Sequence, residues 1–209
     1  DDAACIGAVN TVVPLAGGGF AGYNTDWLGL ADLLTEDASD SDELPSVVVG
    51  AGGTARSAVY ALLSLRPKAQ VYIINRTVSR AEALSSHFND AFRTQHVVNG
   101  WPSATSLYAV IGTVPPDAPI PPCESKFQPK VVVDFAYSAS GAMSTFSAFV
   151  TSAASGHPRL VRGQDILLRQ GLHQQRIWQC GGQMRHRLSN ATSTPYFFPA
   201  AQLIYVANM

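Results

Sequence analysis

Ser46-Val47-Val48-Val49-Gly50-Ala51-Gly52-Gly53-Thr54-Ala55-Arg56 is the stretch that decides the fold. Three consecutive valines with no polar alternation read as a strand covered on both faces, because β-branched side chains suit a pleated surface inside a parallel sheet. The glycines after them permit a tight turn and let the backbone approach a ligand closely. Ser57-Ala58-Val59-Tyr60-Ala61-Leu62-Leu63 then reads as helix. Strand, G-x-G-x-x-A turn and helix N-terminus together form a seat for a dinucleotide pyrophosphate, whose charge suits the N–H groups exposed there. The motif alone is a weak signal, and the rest of the chain has to support it.

Upstream, Thr11-Val12-Val13-Pro14 and Phe20-Ala21-Gly22-Tyr23 flank Gly17-Gly18-Gly19, which predicts a hairpin. Asn24 or Thr25 is placed to cap a helix whose apolar residues Trp27, Leu28, Leu30, Ala31, Leu33 and Leu34 have helical spacing. Residues 36–45 are acidic and serine-rich and read as a loop. Downstream, Pro67 ends the helix of the glycine motif. Strands are expected at residues 71–74, 96–98, 108–111 and 131–135, with a helix at 79–88. Strands alternating with helices predict an α/β fold, a Rossmann-like doubly wound parallel sheet with right-handed crossovers. Residues 138–155 are rich in Ser, Ala and Gly with a weak amphipathic signal, whereas Gln164 to Trp178 carries Ile166, Leu167, Gln170, Gln174 and Ile177 along a helix. Residues 196–209 are unusually apolar for a tail and are expected to pack on something.

The 209 residues fit one domain, or one domain with part of another, and the formal net charge of −1 argues against nucleic-acid binding driven by bulk electrostatics. No apolar run is long enough to span a bilayer. Cys5, Cys123 and Cys180 are odd in number and lack metal spacing, and the five histidines are scattered, so no metal is expected. Free thiols suit a reducing compartment, cytoplasm or nucleus. The chain opens without an initiator methionine and looks like a piece of something longer.

Two clusters carry chemistry. The second strand of the parallel sheet ends in Asn75-Arg76-Thr77, not in the acidic residue that accepts hydrogen bonds from the ribose of NAD. Arg76 matches a 2′-phosphate through a charge-assisted fork, which points to NADP, the plain alternative being a solvated arginine in a turn. Asp26 opens a helix. It is either a cap and dipole partner or, in a cleft, an acceptor for a substrate hydroxyl.

These residues resemble the shikimate dehydrogenase family. The resemblance lies in Ile6-Gly7-Ala8-Val9-Asn10-Thr11, Gly22-Tyr23-Asn24-Thr25-Asp26-Trp27-Leu28-Gly29, the glycine turn and Asn75-Arg76-Thr77. It continues in Gly112-Thr113-Val114-Pro115, Asp134-Phe135-Ala136-Tyr137 and Gly163 to Gly171 with Trp178. The details are similar to fungal members: the dehydrogenase domain of the pentafunctional shikimate-pathway polypeptide, quinate dehydrogenase and the quinate-pathway repressor.

The resemblance implies that Asn10, Asp26, Tyr137 and Gln170 bind substrate, with Asp26 also the aspartate of a catalytic Lys–Asp pair. It implies NADP as cofactor, held by Gly50, Ala51, Gly52, Gly53, Thr54 and Ala55 at the pyrophosphate, by Asn75, Arg76 and Thr77 at the adenosine phosphate, and with Thr113 near the nicotinamide. The paired lysine of the family belongs to an upstream substrate domain, so residues 1–35 are expected to be the remnant of that domain with its connecting helix. Residues 45–160 form the NADP-binding domain, and residues 161–209 form a helix returning toward the substrate domain plus the tail.

After Tyr137 the chain has Ser138-Ala139-Ser140-Gly141-Ala142-Met143, where the family has a proline-containing loop. That departure favours a non-catalytic, repressor-type domain sensing a pathway metabolite or partner. The alternative is an NADP-dependent dehydrogenase interconverting shikimate and 3-dehydroshikimate, or acting on quinate. Expected partners are shikimate or quinate, other domains of a larger polypeptide or a regulatory protein, and a second copy of the chain covering the exposed face of the last helix if the tail does not. Neither a membrane nor direct nucleic-acid contact is expected.

Overall fold

The computed structural model describes residues 2–15, 18–36, 43–137 and 142–179, and the strand Tyr196–Phe198. Its centre is β3 (Ser46–Val49), every residue of which is buried. Parallel neighbours flank it, β4 (Val71–Ile74) on one side and β6 (Ser106–Gly112) on the other. Outward from these lie β5 (Val97–Asn99), β7 (Gln128–Asp134) and β8 (Arg159–Arg162), giving the order β5-β4-β3-β6-β7-β8 with every pairing parallel. Helices cover both faces, so the sheet is Rossmann-like and doubly wound, as expected.

The strand period of two sorts the valines. Val48 belongs to the core beneath α2 (Asp26–Thr35), α3 (Gly53–Leu65) and α4 (Val78–Phe92), with Leu30, Leu34, Leu62 and Phe88 fully buried. Val47 and Val49 point to the opposite core, which Phe146, Val150 and Ala153 of α5 (Thr145–Ala153) close. Burying one such large side chain stabilises the fold by roughly 1.5–3 kcal/mol.

Two elements absent from the sequence expectations, α5 and β8, complete this side. Ser144 caps α5 by accepting from the Ser147 N–H at 2.9 Å. In β8 only Val161 is buried. A short helix, α1 (Asp2–Ile6), was also not anticipated.

The smaller part is built from the expected hairpin, β1 (Thr11–Pro14) with β2 (Phe20–Tyr23), antiparallel. The backbone of β9 (Tyr196–Phe198) pairs antiparallel with β2, so this part of the apolar tail adds a strand to the hairpin, while residues 199–209 lie outside the described residues. The long helix α6 (Gly163–Gln179) runs from β8 back across α2 to the hairpin. Its residues Leu167, Leu168, Leu172 and Trp178 are exposed.

Polar contacts fasten α2 to its neighbours. Glu36 pairs with Arg169 at 2.6 Å and with Arg159 at 3.4 Å. Arg159 also donates to the Leu33 carbonyl, and His173 meets Asp32 at 2.8 Å.

Candidate functional site

Three consecutive residues at the start of α2 divide the work of placing the site. Asn24 is buried and ties α2 to its surroundings. Its Nδ2 donates to the Ala8 carbonyl at 3.1 Å, and its Oδ1 accepts from Ser57 Oγ of α3 at 3.1 Å and from the Trp27 N–H at 3.3 Å. Asn24 thus caps the helix. Thr25 stands at the N-cap position but uses its hydroxyl elsewhere, with no side-chain cap bond. Asp26, the first helical residue, turns its carboxylate to a cavity of about 500 Å³.

That cavity brings together all four residues expected to bind substrate, Asn10, Asp26, Tyr137 and Gln170, with Thr54 of the glycine-turn helix and Thr113 after β6. Val114, Phe135 and Ile166 supply apolar wall. The position is the crevice beyond the carboxyl ends of the neighbouring parallel strands β3 and β6, the usual ligand position in such sheets. Tyr137 stands exposed at its rim, whereas Gln170 is buried. Asn75, Arg76 and Thr77 lie apart from the cavity, at the end of β4.

Asn10 Oδ1 accepts from the Thr25 N–H at 2.8 Å and from Thr11 Oγ1 at 2.9 Å. A backbone N–H demands an acceptor, so the amide nitrogen of Asn10 must face the other way. It donates to Asp26 Oδ1 at 2.7 Å. Burial raises the Asp26 carboxyl above the ordinary carboxylate range, and the Asn10 bond offsets part of that rise. A carboxyl moved toward neutrality is better placed to exchange protons with a ligand hydroxyl. Gln174, one helical turn beyond Gln170, lines the same cavity and donates to Thr11 Oγ1 at 3.0 Å. Its spacing of four residues from Gln170 on one helix face was the available signal for it.

The glycine turn fits a dinucleotide. Gly50 has φ +123°, and a β-carbon there would stand 2.2 Å from Thr113 Oγ1. At Gly52 nothing lies within 4 Å of an added β-carbon, so the backbone there is open to a ligand. The first turn of α3 holds no acidic residue and has no side-chain cap, which leaves its N–H groups for an anion. Thr113 Oγ1 donates to the Val49 carbonyl at 2.9 Å, locking the β3 and β6 ends together. Asn75 Nδ2 donates to the Thr77 carbonyl at 2.8 Å and shapes the turn that carries Arg76. Arg76 is exposed and, among the described residues, makes no hydrogen bond or ion pair.

A second cavity of about 560 Å³ lies on the far side of Tyr137, between α5 and β8. Its one carboxylate, Asp134, is fully engaged, accepting from Ser144 Oγ and Ser147 Oγ at 2.5 Å and from the Ala136 N–H at 3.0 Å. We assign Asp134 a structural role. The protein's three lysines, Lys68, Lys126 and Lys130, line neither cavity.

Comparison with known proteins agrees with this fold. Residues 32–102 match the family model described as Shikimate / quinate 5-dehydrogenase. The chain is 32% identical over 203 residues to the pentafunctional AROM polypeptide of Schizosaccharomyces japonicus, a match covering 85% of this chain and 12% of that protein. It is 30% identical over 178 residues to the shikimate dehydrogenase (NADP(+)) of Sulfolobus acidocaldarius, covering 85% of this chain and 61% of that one. Among solved structures, shikimate 5-dehydrogenase of Thermus thermophilus in complex with NADP(H) and shikimate superimposes with a TM-score of 0.62 at 26% identity, covering 85% of this chain and 64% of that one. The chain thus spans less than two thirds of the length of each of these relatives. Over the matched stretches the chain is similar to part of the shikimate dehydrogenases and of the AROM polypeptides, and it shares their fold.

Proposed function

We propose that the cavity takes shikimate or the related quinate and that the glycine turn with Arg76 takes NADP, as parts of a dehydrogenase interconverting shikimate and 3-dehydroshikimate. The observation that carries this reading is the meeting of Asp26, Asn10, Gln170 and Tyr137 with Thr54 and Thr113 in one cavity. The glycine turn and Arg76 would hold NADP, which would supply the hydride chemistry. The residues of this chain do the rest. Asp26 accepts a hydrogen bond from a ring hydroxyl, Asn10 fixes its carboxylate, and the apolar wall of Val114, Phe135 and Ile166 excludes water from the reacting face.

A second reading, a metabolite-sensing domain of the quinate-pathway repressor type, draws on the lysines. The family pairs Asp26 with a lysine, and none of Lys68, Lys126 and Lys130 stands on the cavity. The Sulfolobus acidocaldarius relative is named as a shikimate dehydrogenase, which favours the dehydrogenase. Calorimetric titration of this chain with NADP and with shikimate tests the site. Absorbance of reduced nicotinamide with the full-length protein separates the readings, since turnover excludes the sensor and binding without turnover supports it. Absence of binding by both ligands sinks both.

A further inference from the structure

Thr25 is the most enclosed polar residue of the site, with no exposed surface. Its hydroxyl lies 2.9 Å from Gln170 Oε1, 3.1 Å from Asn10 Nδ2 and 3.2 Å from Asn10 Oδ1. A hydroxyl has a single proton to give. Asn10 Oδ1 already accepts from the Thr25 N–H and from Thr11 Oγ1, so it has no need of that proton. Gln170 Nε2 donates to the Leu167 carbonyl at 3.2 Å, which places its oxygen, an acceptor alone, on Thr25. Thr11 Oγ1, 3.4 Å away, gives its own proton to Asn10 Oδ1, and Gln170 Oε1 at 2.9 Å needs a donor, so the arrangement runs Asn10 Nδ2–H to Thr25 Oγ1, and Thr25 O–H to Gln170 Oε1.

We infer that Thr25 is a positioning residue that sets which end of the Gln170 carboxamide meets the ligand. With the oxygen held by Thr25 and one N–H held by Leu167, the group left free on Gln170 among the described residues is its second N–H. The cavity then offers an acceptor at Asp26 and a donor at Gln170. It therefore selects a ligand with a hydroxyl to give to Asp26 and an oxygen to accept from Gln170. A close helix crossing makes this reach attainable: a β-carbon at Gly29 would stand 2.7 Å from the Gln170 backbone nitrogen, so α2 and α6 touch one turn beyond Thr25.

The inference rests on the cavity being the ligand site proposed above, and its test is read without a ligand. In the full chain labelled with ¹⁵N, the Gln170 Nε2 protons are assigned by their loss in Gln170→Met. Thr25→Val keeps the shape of the side chain and removes the hydroxyl. Exchange of the Gln170 side-chain amide should rise about tenfold, on the scale of one buried hydrogen bond, while Thr25→Ser stays within about twofold of the unsubstituted chain. Unchanged exchange in Thr25→Val, or equal loss in Thr25→Ser, overturns the inference. If Thr25→Val does not fold, the unsubstituted chain decides: nuclear Overhauser contacts from the Gln170 Nε2 protons should run to Leu167, and contacts to Thr25 in their place overturn it. A shikimate titration run in parallel keeps the two ideas apart. Failure of the unsubstituted chain to bind shikimate removes the proposed substrate and leaves the amide result standing.

Discussion

Asn10 Nδ2 and Asp26 Oδ1 lie 2.7 Å apart, yet burial outweighs this bond and the Asp26 carboxyl stays above its ordinary range. The folded protein therefore holds that proton more tightly than the unfolded chain does. The stabilising contribution is complete below the ordinary carboxylate range and is lost as pH rises through the raised folded value. At neutral pH an ionised Asp26 costs stability, as functional carboxylates in clefts commonly do.

Asp26→Asn should therefore melt higher than the unsubstituted chain at pH 7, by about 2–4 °C, the shift that ~1 kcal/mol produces at this size. The difference should vanish in acid below the ordinary carboxylate range. Thermal unfolding followed by circular dichroism across pH measures both arms, and a pH-independent difference would contradict the burial account.

At the glycine turn, Gly50→Ala should lower stability by about 1–3 kcal/mol, because φ +123° disfavours any β-carbon and Thr113 occupies its place. Gly52→Ala meets no neighbouring atom and should leave the melting temperature unchanged while weakening NADP binding. Melting curves paired with NADP titrations tell the two apart.

Arg76→Ala should weaken NADP binding roughly tenfold to a hundredfold, the worth of a charge-assisted hydrogen bond. Binding of NAD, which lacks the 2′-phosphate, should change little. Equal losses for the two cofactors would place Arg76 outside the phosphate site.

Gly29→Ala drives a methyl group against the Gln170 backbone, 2.7 Å from its nitrogen. Overpacking of this kind costs about 1–3 kcal/mol. Chemical denaturation should report that loss, and shikimate affinity should fall with it, because the wedge parts Thr25 from Gln170.

Arg93 closes α4 in the left-handed region, at φ +52° and ψ +47°. Replacing it with glycine should stabilise the chain by about 0.5–1 kcal/mol, since glycine carries no β-carbon to strain there. A rise in the denaturation midpoint at unchanged slope is the expected reading.

The parallel sheet was legible because Val47, Val48 and Val49 and the later apolar runs are unbroken, and the hairpin because its glycines stand between two short β-branched or aromatic runs. β8 was not, since Arg159-Leu160-Val161-Arg162 sits at the sheet edge and buries one side chain in four. α5 escaped for a related reason: Phe146, Val150 and Ala153 make its buried stripe, and the serines between them also suit a loop. In the site, Asn10, Asp26, Tyr137 and Gln170 were reached through resemblance, and the cavity unites them. The sequence offers Asn24 or Thr25 as the cap of α2, and Asn24 takes that role while Thr25 does not. The bonds of Thr25 go to Asn10 and Gln170, 15 and 145 residues away in sequence, and no local pattern encodes such pairs.

Mechanically, α2 is a beam pinned at both ends. Asn24 and Thr25 fix its first turn to α3 and α6, while Glu36 and the Leu33 carbonyl are gripped by Arg159 and Arg169 at its last. Asp26 is thus carried by a strut with little freedom to roll or slide. Any breathing of the crevice has to come from the walls that face this helix, and the carboxylate serves as the fixed datum against which a ligand is aligned.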